Sequence, residues 1–277
     1  MLRFRLVRST LDLEAAVIEN SYRVRAERGE VQVGTWVNMV RNPAILPLLK
    51  SAGLDFVRVD MAHSPFSMET IADMALVSLA AAFPMVVRPP DGNREWITRR
   101  LDSGVWNLHI PQVDTPEQAR EVAKYARYAP LGMRGMSAFG PHTGYQSSSP
   151  AEHAAMQNAR VHVTIMLESR QAFDHLDEIA SVQGIDALTL GPSDLAQELG
   201  VLGRPEKART LDEYRSRLAA AARKHGKQVS MLADSVVGVR RMIELGATIV
   251  NYSSEVSVLK SAYAAAVADI RRTTGSR

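Results

Sequence analysis

Eight strand-like runs, each followed by a helix-like segment, predict a (β/α)8 TIM barrel with an extra N-terminal helix for this chain. Two further observations point the same way. At 277 residues and 46% hydrophobic, the chain suits one large α/β unit. An open doubly wound sheet is disfavoured because no strand-like run leads into a G-x-G-x-x-G turn. Residues 1–277 are expected to form a single barrel domain, with residues 1–32 as an N-terminal extension.

The elements follow from periodicity and from stop and start signals. A helix over about Leu11–Glu27 precedes the first strand, Val33–Val37, and is placed at the bottom of the barrel or against a partner. Pro43–Ala52 carries apolar residues at helical spacing and stops at Gly53. Then come strand Phe56–Asp60, a helix over about Ser67–Ala82, strand Met85–Arg88, a helix over about Arg94–Ser103, and strand Asn107–Pro111. Thr115–Ala126 has a cap at Thr115, Pro116 at the first helical position and Gln118 completing a capping box. The Gly-, Ser- and Pro-rich stretch Pro130–Ser149 contains Phe139, His142 and Tyr145, and is expected to be an ordered loop covering the site. The alternation resumes with strand Val161–Glu168, helix Arg170–Ala180, strand Ala187–Gly191, helix Leu211–His225 and strand Gln228–Leu232. Helix Ser235–Leu245, strand Ile249–Tyr252 and helix Val256–Arg272 close the series.

Composition removes several function classes. With no cysteine there is no disulfide, thiol nucleophile or thiolate metal site. The net charge is +3 and the arginines are scattered, so nucleic acid is not an expected partner. The longest apolar stretch, Met74–Val87, is broken by Pro84 and too short for a membrane span. The segment MLRFRLVRST lacks a signal-peptide core, and a cytoplasmic location is expected.

In such a barrel, chemistry collects at the C-terminal ends of the strands. That rule selects Asp60 and His63, Arg88, Glu168, and Asp194 just after the sixth strand. Glu168 ends a continuous apolar run, where a carboxylate needs a partner or a cation. Asp194, within GPSDL, reads either as a second ligand or as a cap on a short helix. Two carboxylates with water and substrate oxygens suit octahedral Mg²⁺ or Mn²⁺. His63 suits a proton shuttle, with Asp60 three residues earlier to orient it. Arg88, held extended by Pro89 and Pro90, suits gripping a carboxylate or a developing enolate. His142 is a loose candidate, Asp102 is assigned to a turn or an interface, and His109 is assigned a structural role. None of the six lysines ends a strand-like run, so a Schiff-base mechanism has no obvious nucleophile.

From about Asn20 to Tyr252 the chain resembles the HpcH/HpaI aldolase family, the metal-dependent pyruvate aldolases. The resemblance rests on GTWV, AGLDFVRVDMAHSP, VVRPP, IPQVDTPEQAREV, APLGMRGMS, LESRQAFDHLDEI, GPSDLAQELG and GATIVNYSS. It implies reversible cleavage of a 4-hydroxy-2-oxo acid to pyruvate and an aldehyde, with those small molecules as partners. It also implies a divalent metal ion (Mg²⁺, Mn²⁺ or Co²⁺) on Glu168 and Asp194, pyruvate and enolate binding by Arg88, and catalysis by His63 with Asp60. Pro192 and Ser193, beside the second ligand, are implied substrate contacts. A hexamer exchanging C-terminal helices is the implied assembly. Two positions depart from the family pattern: its D-G-E-H is Asp60-Met61-Ala62-His63 here, and its Gln two residues before the metal-binding Glu is Met166. Both changes make the pocket less polar. A related 2-oxo-acid or hydroxyacyl-CoA lyase or decarboxylase, and a non-catalytic 2-oxo-acid binding protein, are the alternative readings.

Overall fold

The computed structural model describes residues 19–137 and 139–274. Strands β1 (Gln32–Val37), β2 (Phe56–Asp60), β3 (Met85–Arg88), β4 (Asn107–Ile110), β5 (His162–Leu167), β6 (Ala187–Leu190), β7 (Gln228–Ala233) and β8 (Ile249–Ser254) close in sequence order into a parallel barrel. The connecting helices are α1 (Ser21–Glu27), α2 (Ile45–Ser51), α3 (Met68–Ala80), α4 (Arg94–Asp102), α5 (Pro116–Ala126), α6 (Pro150–Arg160), α7 (Arg170–Asp174), α8 (Leu176–Ser181), α9 (Pro192–Glu198), α10 (Lys207–Lys224), α11 (Val236–Glu244) and α12 (Glu255–Thr274). The predicted (β/α)8 architecture is therefore present.

Alternation along the strands divides the core in two. Outward residues such as Val57, Val59, Leu108, Ile165 and Leu188 join the helices in the main apolar cluster. Inward at the bottom, a second cluster gathers Phe56, Val86, Ala187 and Ile249 around Tyr22 of α1. α1 thus closes the barrel floor, as expected for the N-terminal helix; the part of that predicted helix before residue 19 lies outside the described residues. Between floor and mouth, the inward residues Arg58, His109, Thr164, Thr189, Ser230 and Asn251 are polar and buried.

Several elements differ from the sequence reading. The helix expected over Arg170–Ala180 is two helices, α7 and α8, meeting at His175. α6 was not expected, although Ser149, Pro150 and Glu152 form a capping box of the same kind as that opening α5. The loop 130–149 does not cover the site. It follows a helix and precedes a strand, so it runs at the N-terminal face of the barrel, opposite the mouth. There Arg134 donates to Asp102 at 2.6 Å, and the ring nitrogens of buried His142 lie 3.1 and 2.7 Å from the carbonyl oxygens of Asp102 and Ser137. His142 is a structural residue of that loop, and Asp102 anchors it.

Candidate functional site

The C-terminal ends of the strands surround a cavity of about 340 Å³, lined among others by Trp36, His63, Arg88, Met166, Glu168 and Asp194. Two non-glycine residues near its rim, Gln112 (φ 54°) and Ser253 (φ 51°), sit in the left-handed backbone region, and strain of this kind clusters at functional sites. At Ser253 the β1–β8 register shifts, a bulge that re-aims side chains at the mouth. The β1–α2 loop beside it is fixed by Glu255, whose Oε1 accepts the main-chain N–H groups of Asn38, Met39 and Val40.

Asp60 and Arg88 face each other because β2 and β3 pair Asp60 with Arg88 in register. The guanidinium grips the carboxylate at two points, Nε to Oδ1 at 2.8 Å and an Nη to Oδ2 at 2.7 Å. Asp60 Oδ1 also accepts the main-chain N–H groups of Ala62 and His63, at 2.9 and 3.4 Å. Burial pushes the Asp60 carboxyl up, but the hydrogen bonds and charge of Arg88, with the two N–H groups, hold it below the usual carboxylate value. Asp60 therefore acts on His63 through the backbone turn and not through the ring. The face of Arg88 is covered by the Trp36 ring, with the guanidinium carbon 4.6 Å from its centroid. Arg88 is thus oriented from two sides. The His63 side chain is exposed at the rim.

Glu168 follows β5 and is 7% exposed. Its Oε1 accepts the Gln112 N–H at 2.9 Å, a bond delivered by the strained Gln112 backbone. Asp194 lies in the first turn of α9, within hydrogen-bonding reach of Glu168. Burial, with the charge and contact of Asp194, pushes the Glu168 carboxyl up to about 7 against the opposing pull of Gln112 and Arg88. Two carboxylates forced together in a partly dry site are relieved by a cation. Gly191 makes the approach possible: a Cβ there would lie 2.2 Å from Glu168 Oε2. No third His, Asp or Glu completes a metal cluster among the described residues. The donor set fits a hard divalent cation that fills its remaining positions with water and ligand oxygens.

The structure brings His63, Arg88, Glu168, Pro192, Ser193 and Asp194 together around one cavity, with Asp60 buried behind Arg88. Both sequence readings of Asp194 hold at once: it faces Glu168 and sits at the start of a short helix. Trp36, Arg58, His109, Asp234 and Ser253 also line the cavity and were not selected from sequence. Met166, at the position where the resemblance expects Gln, lines it too.

The family model described as HpcH/HpaI aldolase/citrate lyase matches residues 32–262. The chain belongs to the HpcH/HpaI aldolase/citrate lyase family. A 5-keto-4-deoxy-D-glucarate aldolase of Klebsiella pneumoniae is 32% identical over 253 residues, 90% of this chain and 96% of the relative. A solved HpcH/HpaI aldolase from Desulfitobacterium hafniense superposes with a TM-score of 0.85 at 29% identity, covering 90% of this chain and 96% of that one. A second solved family member, from Burkholderia cenocepacia, gives 0.82 at 28% identity, covering 91% and 99%. Like these family aldolases, the chain is a carbon–carbon lyase. Among its described residues no helix is long and apolar enough to cross a membrane.

Proposed function

We propose that this family member cleaves a 4-hydroxy-2-oxo acid reversibly to pyruvate and an aldehyde at the Glu168–Asp194 pair. The observation that carries the reading is that pair itself, two adjoining carboxylates opposite a guanidinium clamped in place by Asp60 and Trp36. Mg²⁺, Mn²⁺ or Co²⁺ held by Glu168 and Asp194 supplies Lewis acidity to the carboxylate and ketone oxygens of the oxo acid. His63 takes the proton from the C4 hydroxyl oxygen as the C3–C4 bond breaks. The bonding electrons pass to C3 and the C2 oxygen, and Arg88 stabilises the developing enolate charge from a position already paid for in its contacts with Asp60 and Trp36. The same proton, returned to C3, yields pyruvate. Asp60 is a positioning residue for Arg88 and for the turn that carries His63. Pro192 and Ser193, lining the cavity beside Asp194, contact the oxo-acid head.

Pyruvate enolisation tests the reading without knowledge of the aldehyde. The pyruvate methyl protons are expected to exchange in D2O with Mg²⁺, Mn²⁺ or Co²⁺ present, followed by NMR, and to stop exchanging in EDTA. A folded protein that exchanges nothing with any of these metals would sink the mechanism.

Association through α12 is the assembly we favour. Residues 257–274 are exposed all round, yet carry Val258, Leu259, Tyr263, Val267 and Ile270. An apolar-bearing helix that packs on nothing in its own chain is matched by a second copy. Light scattering is expected to report an oligomer, and a monomer at micromolar concentration would remove this reading.

A further inference from the structure

The cavity does not end at the carboxylate pair. It continues down the barrel to Arg58, His109 and Thr189, which line it one layer below the mouth. TIM-barrel interiors are ordinarily filled at this level by bulky branched apolar side chains. Here the layer is polar on six strands, and much of it lacks partners. Arg58 Nε, both ring nitrogens of His109, Thr164 Oγ1, and both amide atoms of Asn251 are buried without a hydrogen bond.

Arg58 is the centre of this layer. Its side chain is 1% exposed, and one Nη donates to Ser230 Oγ at 3.1 Å. Its other neighbours are rings: the guanidinium carbon is 5.3 Å from the Trp36 centroid and 5.7 Å from that of Phe56. Among the described residues no carboxylate pairs with it. Asp60, two residues later on the same strand, is taken up by Arg88. The Tyr22 hydroxyl lies beneath Arg58, but burial pushes that phenol up, so it stays neutral and is no counter-ion. Burial, with the charges of Arg58 and Arg88, holds His109 well below the usual histidine value, which leaves a neutral ring with one donor and one acceptor. The layer therefore carries one fixed positive charge, several free donors and no anion of its own.

We infer that this layer is a second anion subsite, which takes the distal carboxylate of a dicarboxylic 2-oxo acid whose head lies at Glu168 and Asp194. The inference rests on the oxo-acid reading of the mouth and adds the class of substrate. Arg58 stands two residues below Asp60, roughly 6.6 Å along the strand, the reach of a chain of about five carbons. Arg58 would bind the carboxylate, with His109, Thr189 and Asn251 supplying neutral contacts around it.

Calorimetric titration of the metal-loaded protein with 2-oxopentanedioate and 2-oxopentanoate tests this, since the two differ only in a terminal carboxylate. The diacid is expected to bind at least about tenfold more tightly to the natural protein. In Arg58→Met the ratio of the two affinities should fall close to one, and in Thr189→Val it should narrow. Equal affinities in the natural protein, binding of neither acid, or a ratio untouched by both substitutions would overturn the subsite. A free anion in the chamber has a different signature: acetate would raise the melting temperature of the natural protein but not of Arg58→Met, with no diacid preference. That result would overturn the substrate assignment. Loss of pyruvate exchange alongside an intact diacid preference would instead sink the aldolase mechanism and support the subsite.

Discussion

Glu168→Ala is expected to lower metal-dependent exchange of the pyruvate methyl protons by at least about a thousandfold, the scale of losing a central electrostatic element of an active site. Glu168 is the buried member of the two-carboxylate pair, fixed by the Gln112 N–H, and Asp194 at the rim cannot replace it. Mn²⁺ affinity, read by calorimetry, should weaken by more than about 100-fold, beyond the effect of residues that only support a ligand. The fold should not suffer. A carboxylate desolvated beside a second carboxylate costs the metal-free protein stability, so its removal should leave the metal-free melting temperature equal or higher. The natural protein should then gain melting temperature on adding Mn²⁺ while Glu168→Ala does not. Undiminished exchange in the folded variant would remove Glu168 from the chemistry.

What the sequence disclosed and what it concealed follow from how barrels are built. Chemistry at strand ends is marked by a change of residue type, an acid or a base after an apolar run, and this was enough to select Asp60, Arg88, Glu168 and Asp194. The polar middle layer is marked only by alternation within short strands. Arg58 in FVRVD, His109 in NLHI, Thr189 in ALTL and Asn251 in IVN each occupy the inward position of a run that otherwise reads as apolar. One such residue says little, since a lone polar group in a buried strand usually has a local partner. Six at the same barrel level say much more, but the common level depends on register, which is a property of the closed sheet. The loop 130–149 was misplaced for a related reason. Its aromatic and His content was legible, whereas its position at the barrel foot follows from being a helix-to-strand connection. Trp36 was passed over because a tryptophan in a strand reads as core; its stacking on Arg58 and Arg88 appears only when β1, β2 and β3 stand side by side.

Asp60→Asn is expected to have the largest effect on stability of any change at the site. Asp60 is almost wholly buried and Arg88 nearly so, and each carboxylate oxygen carries an Arg88 hydrogen bond. Removing one partner of a buried pair costs about 3–5 kcal/mol, since the surviving charge is left desolvated and uncompensated. For a chain of this size that corresponds to a fall in melting temperature of roughly 6 °C or more. The pH dependence separates loss of the pair from loss of packing. The folded-state value of Asp60 is depressed, so its stabilisation is complete above the ordinary carboxylate value and fades as pH falls through the lower folded value. The melting-temperature gap between the natural protein and Asp60→Asn should therefore be flat above about pH 5 and narrow below about pH 4. Asp60→Ala removes the remaining acceptor as well and should widen the flat part of the gap without moving the pH at which it begins to close. A gap equally large at pH 3 and pH 7 would show that shape, and not the charge facing Arg88, is what Asp60 contributes. Enolisation should fall in the same variants, because Arg88 would then be held by the Trp36 face alone and would lose the in-plane grip that aims it at the C2 oxygen.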